Sequence, residues 1–257
     1  STGSDLNGMA AFNAGMQIRG RMVKVAADHF GVGDEIITFR EGRVHANNES
    51  VSFGELAKMS WLKRVQLSEA GFYKTPKIHW DGKTMRGRPF FYFSYGAAVA
   101  EVAMETLSGE NRCLRADMVQ DIGTPLNPAI DLGQIEGAFV QGMGWLTCEE
   151  LWWDKEGRLR TVGPSTYKIP GSRDVPPVFN VSLLDQMPNK EETVFRSKAI
   201  GEPPLMLAIS VWLAIRDAIA SIGGNRFAPD LEAPATPEHV LEAVGKLRAR
   251  MAGNVGG

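Results

Sequence analysis

An α+β fold, with mixed and mostly antiparallel sheets and packed helices, is what this sequence predicts, on three observations. Helix-period apolar stripes and short strand-like runs alternate irregularly, not in regular βαβ order. Pairs of strand-like runs are joined by tight turns, at Glu41-Gly42, Ser108-Gly109-Glu110 and Asp154–Gly157, as hairpins require. No internal repeat is present.

Taken in order, Ser4 or Asp5 caps a first helix over roughly residues 5–30. Met9, Phe12, Met16, Gly20, Val23, Ala27 and Phe30 form its apolar stripe, read as core. Gly8, Gly15 and Gly20 each weaken a helix by about 1 kcal/mol relative to alanine, so close packing against another element is expected there. Glu35–Arg40 and Val44–Ala46 make a hairpin, and Ser52 caps a short helix ending near Trp61. Val65–Lys74 reads as a strand broken by Thr75-Pro76, and Thr84–Arg88 as an exposed loop. Phe90–Leu107 reads as a long strand interrupted at Gly96, with Arg112–Asp121 returning antiparallel. In the return strand Leu114, Ala116, Met118 and Gln120 face one way and Arg115, Asp117 and Val119 the other. Asn127-Pro128 begins a helix to about residue 147, on which Ile130, Gln134, Gly137, Ala138, Gln141 and Trp145 are neighbours. A hairpin at Leu151–Trp153 and Leu159–Val162 and a strand at Val178–Leu184 follow. A helix over roughly 204–222 is apolar on nearly every side and therefore expected to be buried. Thr236-Pro237 caps the last helix. The Trp152-Trp153 pair and the Phe90–Phe93 aromatic run read as core or interface.

The chain's 257 residues suffice for one large domain or two small ones. Its 28 basic and 30 acidic residues give a net charge of −2 with no long basic run, so nucleic acid and anionic membranes are not expected partners. The best apolar stretch, Leu205–Ile215, is too short to span a membrane, and no signal-peptide pattern opens the chain, so a cytoplasmic location is expected. Cys113 and Cys148 are too few for an iron–sulfur cluster and are expected to stay reduced and packed. His29, His45, His79 and His239 are dispersed, so no direct protein-ligated metal site is expected. The chain starts at Ser1-Thr2-Gly3-Ser4 without a methionine and enters a helix at once, as a piece of a longer protein would.

The segment Lys198–Leu207 is the hardest to explain as packing. Glu202 stands between Gly201 and Pro203-Pro204, directly before an apolar helix. The prolines suit a first helical turn, remove two donors that would engage a nearby carboxylate, and push Glu202 towards an extended backbone. Such a carboxylate suits a general base. On local chemistry alone, an acid complementing the helix macrodipole is the favoured reading.

The segment SKAIGEPPLMLAIS at 197–210 resembles the C-terminal active-site motif of the molybdenum hydroxylases, the xanthine dehydrogenase and aldehyde oxidase family. The resemblance extends through GSDLNGMA at 3–10, LSEAGFYKTP at 67–76 and YFSYGAAVAEV at 92–102. It continues in LNPAIDLGQIEGAFVQGMG at 126–144, GPSTYKIP at 163–170 and APATPE at 233–238. The FYKTP segment is nearer to xanthine dehydrogenases than to aldehyde oxidases.

The resemblance implies the second half of a molybdenum-cofactor-binding domain, its C-terminal portion filling residues 1–257, with two subdomains at about 1–125 and 126–257 as a further division. It implies a molybdopterin cofactor contacted by the loop Ser1-Thr2-Gly3-Ser4 and by Gln134, whose amide suits a heterocycle edge. The plain alternatives are an N-terminal cap for the loop and a backbone-bonding glutamine between packed helices. Glu202 matches the family's base, which takes a proton from a molybdenum-bound hydroxyl during oxidation of hypoxanthine or xanthine, and Ile200 and Gly201 would line the substrate pocket. 2Fe-2S and FAD centres are expected on other domains or subunits. Further expected partners are the upstream part of the molybdenum subunit, a small purine, and a second copy in a dimer of the complete assembly. On this view the chain serves purine catabolism and is inactive alone. An aldehyde- or N-heterocycle-oxidising relative and a non-catalytic scaffold fragment are the competing readings.

Overall fold

The computed structural model of the protein describes residues 3–184 and 186–253. They fall into two compact units that meet in sequence between Phe91 and Tyr92. A division near residue 125 would instead separate two strands that pair with each other.

In the first unit a π-helical turn, Gly3–Asn7, runs straight into α1, Gly8–Phe30. Asn7 is itself helical and no side chain caps α1, so the expected cap by Ser4 or Asp5 is replaced by a continuous helical entry. Of the stripe, Val23 and Ala27 are buried, together with Met22, Val25 and Ala26 outside it, whereas Phe12 and Met16 are exposed. Gly15 and Gly20 have open space beside them, contrary to the close packing expected. Strands β1 (Thr38–Arg40), β2 (Arg43–Ala46) and β3 (Glu49–Ser52) form an antiparallel sheet. β3 was not foreseen; the turn at Asn47, with φ 49°, was its signal. Ser52 caps α2 (Phe53–Leu62) in a reciprocal box with Glu55, which brings Leu56 into the core with Val44 and Ala46.

Val65–Lys74 is not a strand. It is an extended segment whose bonds go to α1 side chains: Asn13 Nδ2 donates to Phe72 O at 2.8 Å, and Arg21 pairs with Glu69 at 2.7 Å. The fit is close enough that a Cβ on Gly71 would fall 1.8 Å from Ala10 O. The expected loop after Thr84 contains β5 (Arg86–Arg88), paired with β4 (His79–Asp81).

The second unit is built on β6 (Gly96–Met104), β7 (Asn111–Asp121) and β8 (Val178–Leu184), with β7 central. β6 begins only at Gly96, so the aromatic run before it lies outside the sheet, with Phe90 and Phe93 exposed. β6 and β7 are antiparallel; β7 and β8 are parallel, joined by a crossover that contains α3 (Pro128–Thr147). A bulge pairs Glu101 with Arg115 but Val102 with Cys113, leaving Leu114 as the extra residue. One extra residue inverts the face of everything before it, so Cys113, not Leu114, is buried with Ala116, Met118 and Gln120.

The sheet's inner face packs on α3, α4 (Ile209–Ile222) and α5 (Pro237–Gly253). Ile135 and Phe139 of α3, Val211, Ile215 and Ile219 of α4, and Val240, Val244 and Leu247 of α5 meet Ala116, Met118 and Ile122. Each such aliphatic or aromatic side chain contributes about 1.5–3 kcal/mol by burial. α4 is not buried all round, as its composition had suggested: Leu213 and Ile209 are exposed. The preceding 3-10 turn, Pro203–Ala208, joins α4 in a helical stretch of 20 residues. That stretch is long and apolar enough to cross a membrane by length and composition, contrary to the sequence reading. Its Val211, Ile215 and Ile219 are built into the protein core.

Candidate active site

The end of β7 and the chain before α4 are tied into one rigid region. Ser197 bridges antiparallel to Gly123, Thr124 N–H donates to Arg196 O at 3.0 Å, and Lys198 N–H donates to Ile122 O at 2.8 Å. Phe195 and Arg196 hold successive positive φ angles of 48° and 62°, turning the chain into this pairing. Buried Asn189 stabilises the turn, its Nδ2 donating to Ser197 O at 3.1 Å; Thr193 Oγ1 donates to the same oxygen at 2.6 Å.

Beneath the region lies an ion pair between Lys198 and Asp121, whose side chains are 11% and 4% exposed. Lys198 Nζ also donates to Phe93 O at 2.9 Å and stands 5.6 Å from the centre of the Tyr95 ring. The other Asp121 carboxylate oxygen accepts from Gly123 N–H at 3.1 Å. Both charges therefore have partners, as burial demands. Tyr92 Oη accepts from Ala199 N–H at 2.7 Å. Sequence reasoning assigned no role to Tyr92, Asp121 or Lys198, although YFSYG and SKAIGEPP contain two of them. Gln120 was also missed: its Nε2 donates to Ser94 Oγ at 2.6 Å, and its Oε1 is buried against Gly96 and Leu207 without a hydrogen bond.

Ile200 packs against the main core, Gly201 is half-buried, and Glu202 is exposed at the start of the 3-10 turn. Glu202 has φ −100° and ψ −39°, not the extended backbone expected before proline. Leu205 N–H donates to Glu202 O at 3.0 Å, and closing that turn outweighs the pre-proline preference. The prolines occupy the first helical positions, as expected, and the Glu202 side chain does not cap the turn.

α3 supports the turn directly. A Cβ on Gly142 would fall 2.4 Å from Leu205 O and 2.9 Å from Ala208 Cβ, so the turn's backbone rests on the bare helix. Asn127 Oδ1 accepts from Ile130 N–H at 3.4 Å and Pro128 follows, which fixes where α3 begins. Gln134 lies eight residues before Gly142, about 12 Å along the axis. It is exposed, between Gly133 and Gly137, both with open space where a Cβ would be. With Ile130 and Gln141 these residues make one uncovered face at helical spacing.

Of the residues singled out from sequence, Ile200, Gly201, Glu202 and Gln134 thus share the second unit. Gly3 and Ser4 belong to the first, in the turn leading into α1; Ser1 and Thr2 lie outside the described residues. Among the described residues no group of histidine, cysteine or acidic side chains could hold a metal ion. The α3 face fits a planar heterocycle: it offers an amide with donor and acceptor beside two glycines that leave room for close approach.

Comparison with known proteins gives the chain's family. The chain is 50% identical to a xanthine dehydrogenase/oxidase of Felis catus over 205 residues, 76% of this chain and 15% of that protein. It is 45% identical to a xanthine dehydrogenase of Dictyostelium discoideum over 248 residues, 93% of this chain and 17% of that protein. The chain therefore spans only about a sixth of the relatives it matches. Among solved structures, quinoline 2-oxidoreductase from Pseudomonas putida superposes with a TM-score of 0.70 at 22% identity, over 90% of this chain and 28% of that one. CO dehydrogenase from Oligotropha carboxidovorans gives 0.72 at 17% identity, over 95% and 29%; both likenesses concern the fold. An aldehyde oxidoreductase from Desulfovibrio desulfuricans gives 0.58 at 26% identity, over 72% and 19%. Residues 1–176 match the family model of the molybdopterin cofactor-binding domain, and the chain belongs to that family.

Proposed function

We propose that the chain is the C-terminal part of the molybdenum domain of a xanthine dehydrogenase, and that Glu202 is its general base. One observation carries this reading: the 45% identity to the Dictyostelium xanthine dehydrogenase covers 93% of the chain, and so necessarily spans residues 198–207. The substrate is hypoxanthine or xanthine, in purine catabolism, in the cytoplasm. When bound, the molybdenum cofactor supplies the redox step, taking the two electrons released as a ring C–H becomes C–OH with oxygen from water. Gln134 holds the pterin edge through its amide, on the open face of α3 between Gly133 and Gly137. Glu202 accepts the proton of the attacking water-derived hydroxyl at a carboxylate oxygen. The Glu202 side chain does not cap the first helical turn, where Pro203 and Pro204 have no N–H to offer. Ile200 and Gly201 line the approach of the purine, and the loop Ser1-Thr2-Gly3-Ser4 contacts the pterin. The surface that Glu202 faces is completed by the upstream part of the subunit. The 2Fe-2S and FAD centres lie on other domains, and the complete assembly is a dimer. The chain alone is inactive.

In the full-length enzyme, Glu202→Ala is expected to cut kcat by about 10²–10⁴-fold, the contribution of a positioned base. Molybdenum content should stay unchanged. Turnover within a few-fold of wild type would overturn the assignment. The resemblance to an aldehyde oxidoreductase at 26% identity favours a second reading, oxidation of an aldehyde. Comparing kcat/KM for hypoxanthine and for an aromatic aldehyde decides between the two.

A further inference from the structure

The backbone that presents Glu202 is fixed on both sides by groups distant in sequence. After it, the Pro203–Ala208 turn rests on Gly142 of α3. Before it, only Ile200 and Gly201 separate Glu202 from Ala199, whose N–H is held by Tyr92 Oη at 2.7 Å. Lys198, one residue earlier, is anchored twice: its N–H on Ile122 O, and its ammonium on Asp121 and on Phe93 O. Three residues of extended chain span at most about 10–11 Å, so any slackening at 198–199 is passed to the Glu202 carboxylate with little to absorb it.

We propose that Tyr92 and the Asp121–Lys198 pair are positioning residues for Glu202, holding residues 197–200 against the end of β7 so that the carboxylate has one place. This rests on the reading of Glu202 as the base. The arrangement suits that task better than simple cohesion. The pair sits at a sheet end, with Lys198 bonded across to the strap Phe93–Tyr95 and its backbone bonded to β7. Tyr92 Oη accepts from an amide of the segment that carries the base. In this role the side chains act through the chain.

The test uses the full-length holoenzyme with hypoxanthine. Tyr92→Phe removes one oxygen and leaves the ring. It is expected to lower kcat by about 10- to 100-fold, the scale of a displacement of the catalytic group near 1 Å, with KM and molybdenum content unchanged. In a Glu202→Ala background the same substitution is expected to change residual turnover by less than about twofold, because the positioned group is gone. Amides of residues 199–202 are expected to exchange hydrogen faster in Tyr92→Phe, both with cofactor and in enzyme stripped of it. Lys198→Met alone strands a buried carboxylate and endangers folding, so the pair is tested as Asp121→Asn/Lys198→Met, which leaves neither charge. That double variant should also lose kcat and amide protection while keeping molybdenum. Unchanged exchange at 199–202, or an equal loss of turnover with and without Glu202, overturns the proposal. Normal turnover by Glu202→Ala would refute the base itself, and the exchange measurement would still decide whether Tyr92 holds the segment.

Discussion

Glycines along α3 divide by what stands beside them, and the division is testable. At Gly142 a methyl group would meet the carbonyl of Leu205, a backbone atom that cannot swing away. Gly142→Ala is expected to destabilise the chain by about 1–3 kcal/mol through overpacking, despite alanine's better helix propensity. At Gly133 the space is open, so Gly133→Ala should stabilise the isolated chain by up to about 1 kcal/mol. Urea unfolding of the two variants measures both signs. On the proposed role of Gln134, Gly133→Ala in the full-length enzyme should instead reduce molybdenum content. The sequence placed both glycines on one helix. Which of them were approached depended on the Pro203–Ala208 turn, more than sixty residues further on. Glu202 shows the same limit: its neighbours Gly201 and Pro203 were legible, but the tether through Tyr92 was not, because a hydroxyl 107 residues away leaves no local pattern.

At the scale of elements, the tight turns and the caps of α2 and α3 were read well because their causes are local. Ser52 with Glu55, and Asn127 with Pro128, begin α2 and α3 where the residue types demand. Strand partners were read less well, because pairing is decided by distant chain. The bulge at Leu114 changes which residues of β7 face the core, and nothing near Leu114 announces it. Val65–Lys74 has strand-like composition but finds a helix beside it in place of a strand, so its polar groups go to Asn13 and Arg21. For α4 the two faces should behave differently. Ile215→Ala opens a cavity in the core and should cost about 2–5 kcal/mol, whereas Leu213→Ala, at a position 51% exposed, should cost less than about 1 kcal/mol in this chain. Thermal unfolding followed by far-UV circular dichroism tests the pair. An equal loss at both positions would show that the outer face of α4 is also covered.

For the whole molecule, each unit closes its own core, one around Val44, Leu56 and Ala26 and the other around the β6–β7–β8 sheet. The second core holds a titratable group. Burial pushes the Cys113 thiol up to about 11, against an opposing backbone hydrogen bond of Arg115. A thiol whose pKa is raised by folding contributes fully below its unfolded value. That contribution is lost as pH climbs from about 8.5, the free-thiol value, towards about 11. The urea midpoint should therefore fall across that window, and Cys113→Val should remove this part of the fall. If wild type and variant decline in parallel, Cys113 is not the titrating group.

The amino-acid order alone determined the α+β class, the caps of α2 and α3, most hairpins and the helix that follows Glu202, because each is written in residues within a few positions of one another. It also placed the chain among the molybdenum hydroxylases, through long motifs in a fixed order. Tertiary structure alone decided the parallel pairing of β7 with β8, the inverted face at Cys113, the exposed half of α4 and the Asp121–Lys198 anchor. Each of these is set by contacts between residues far apart in sequence, whose free energy appears only once the chain has folded back on itself.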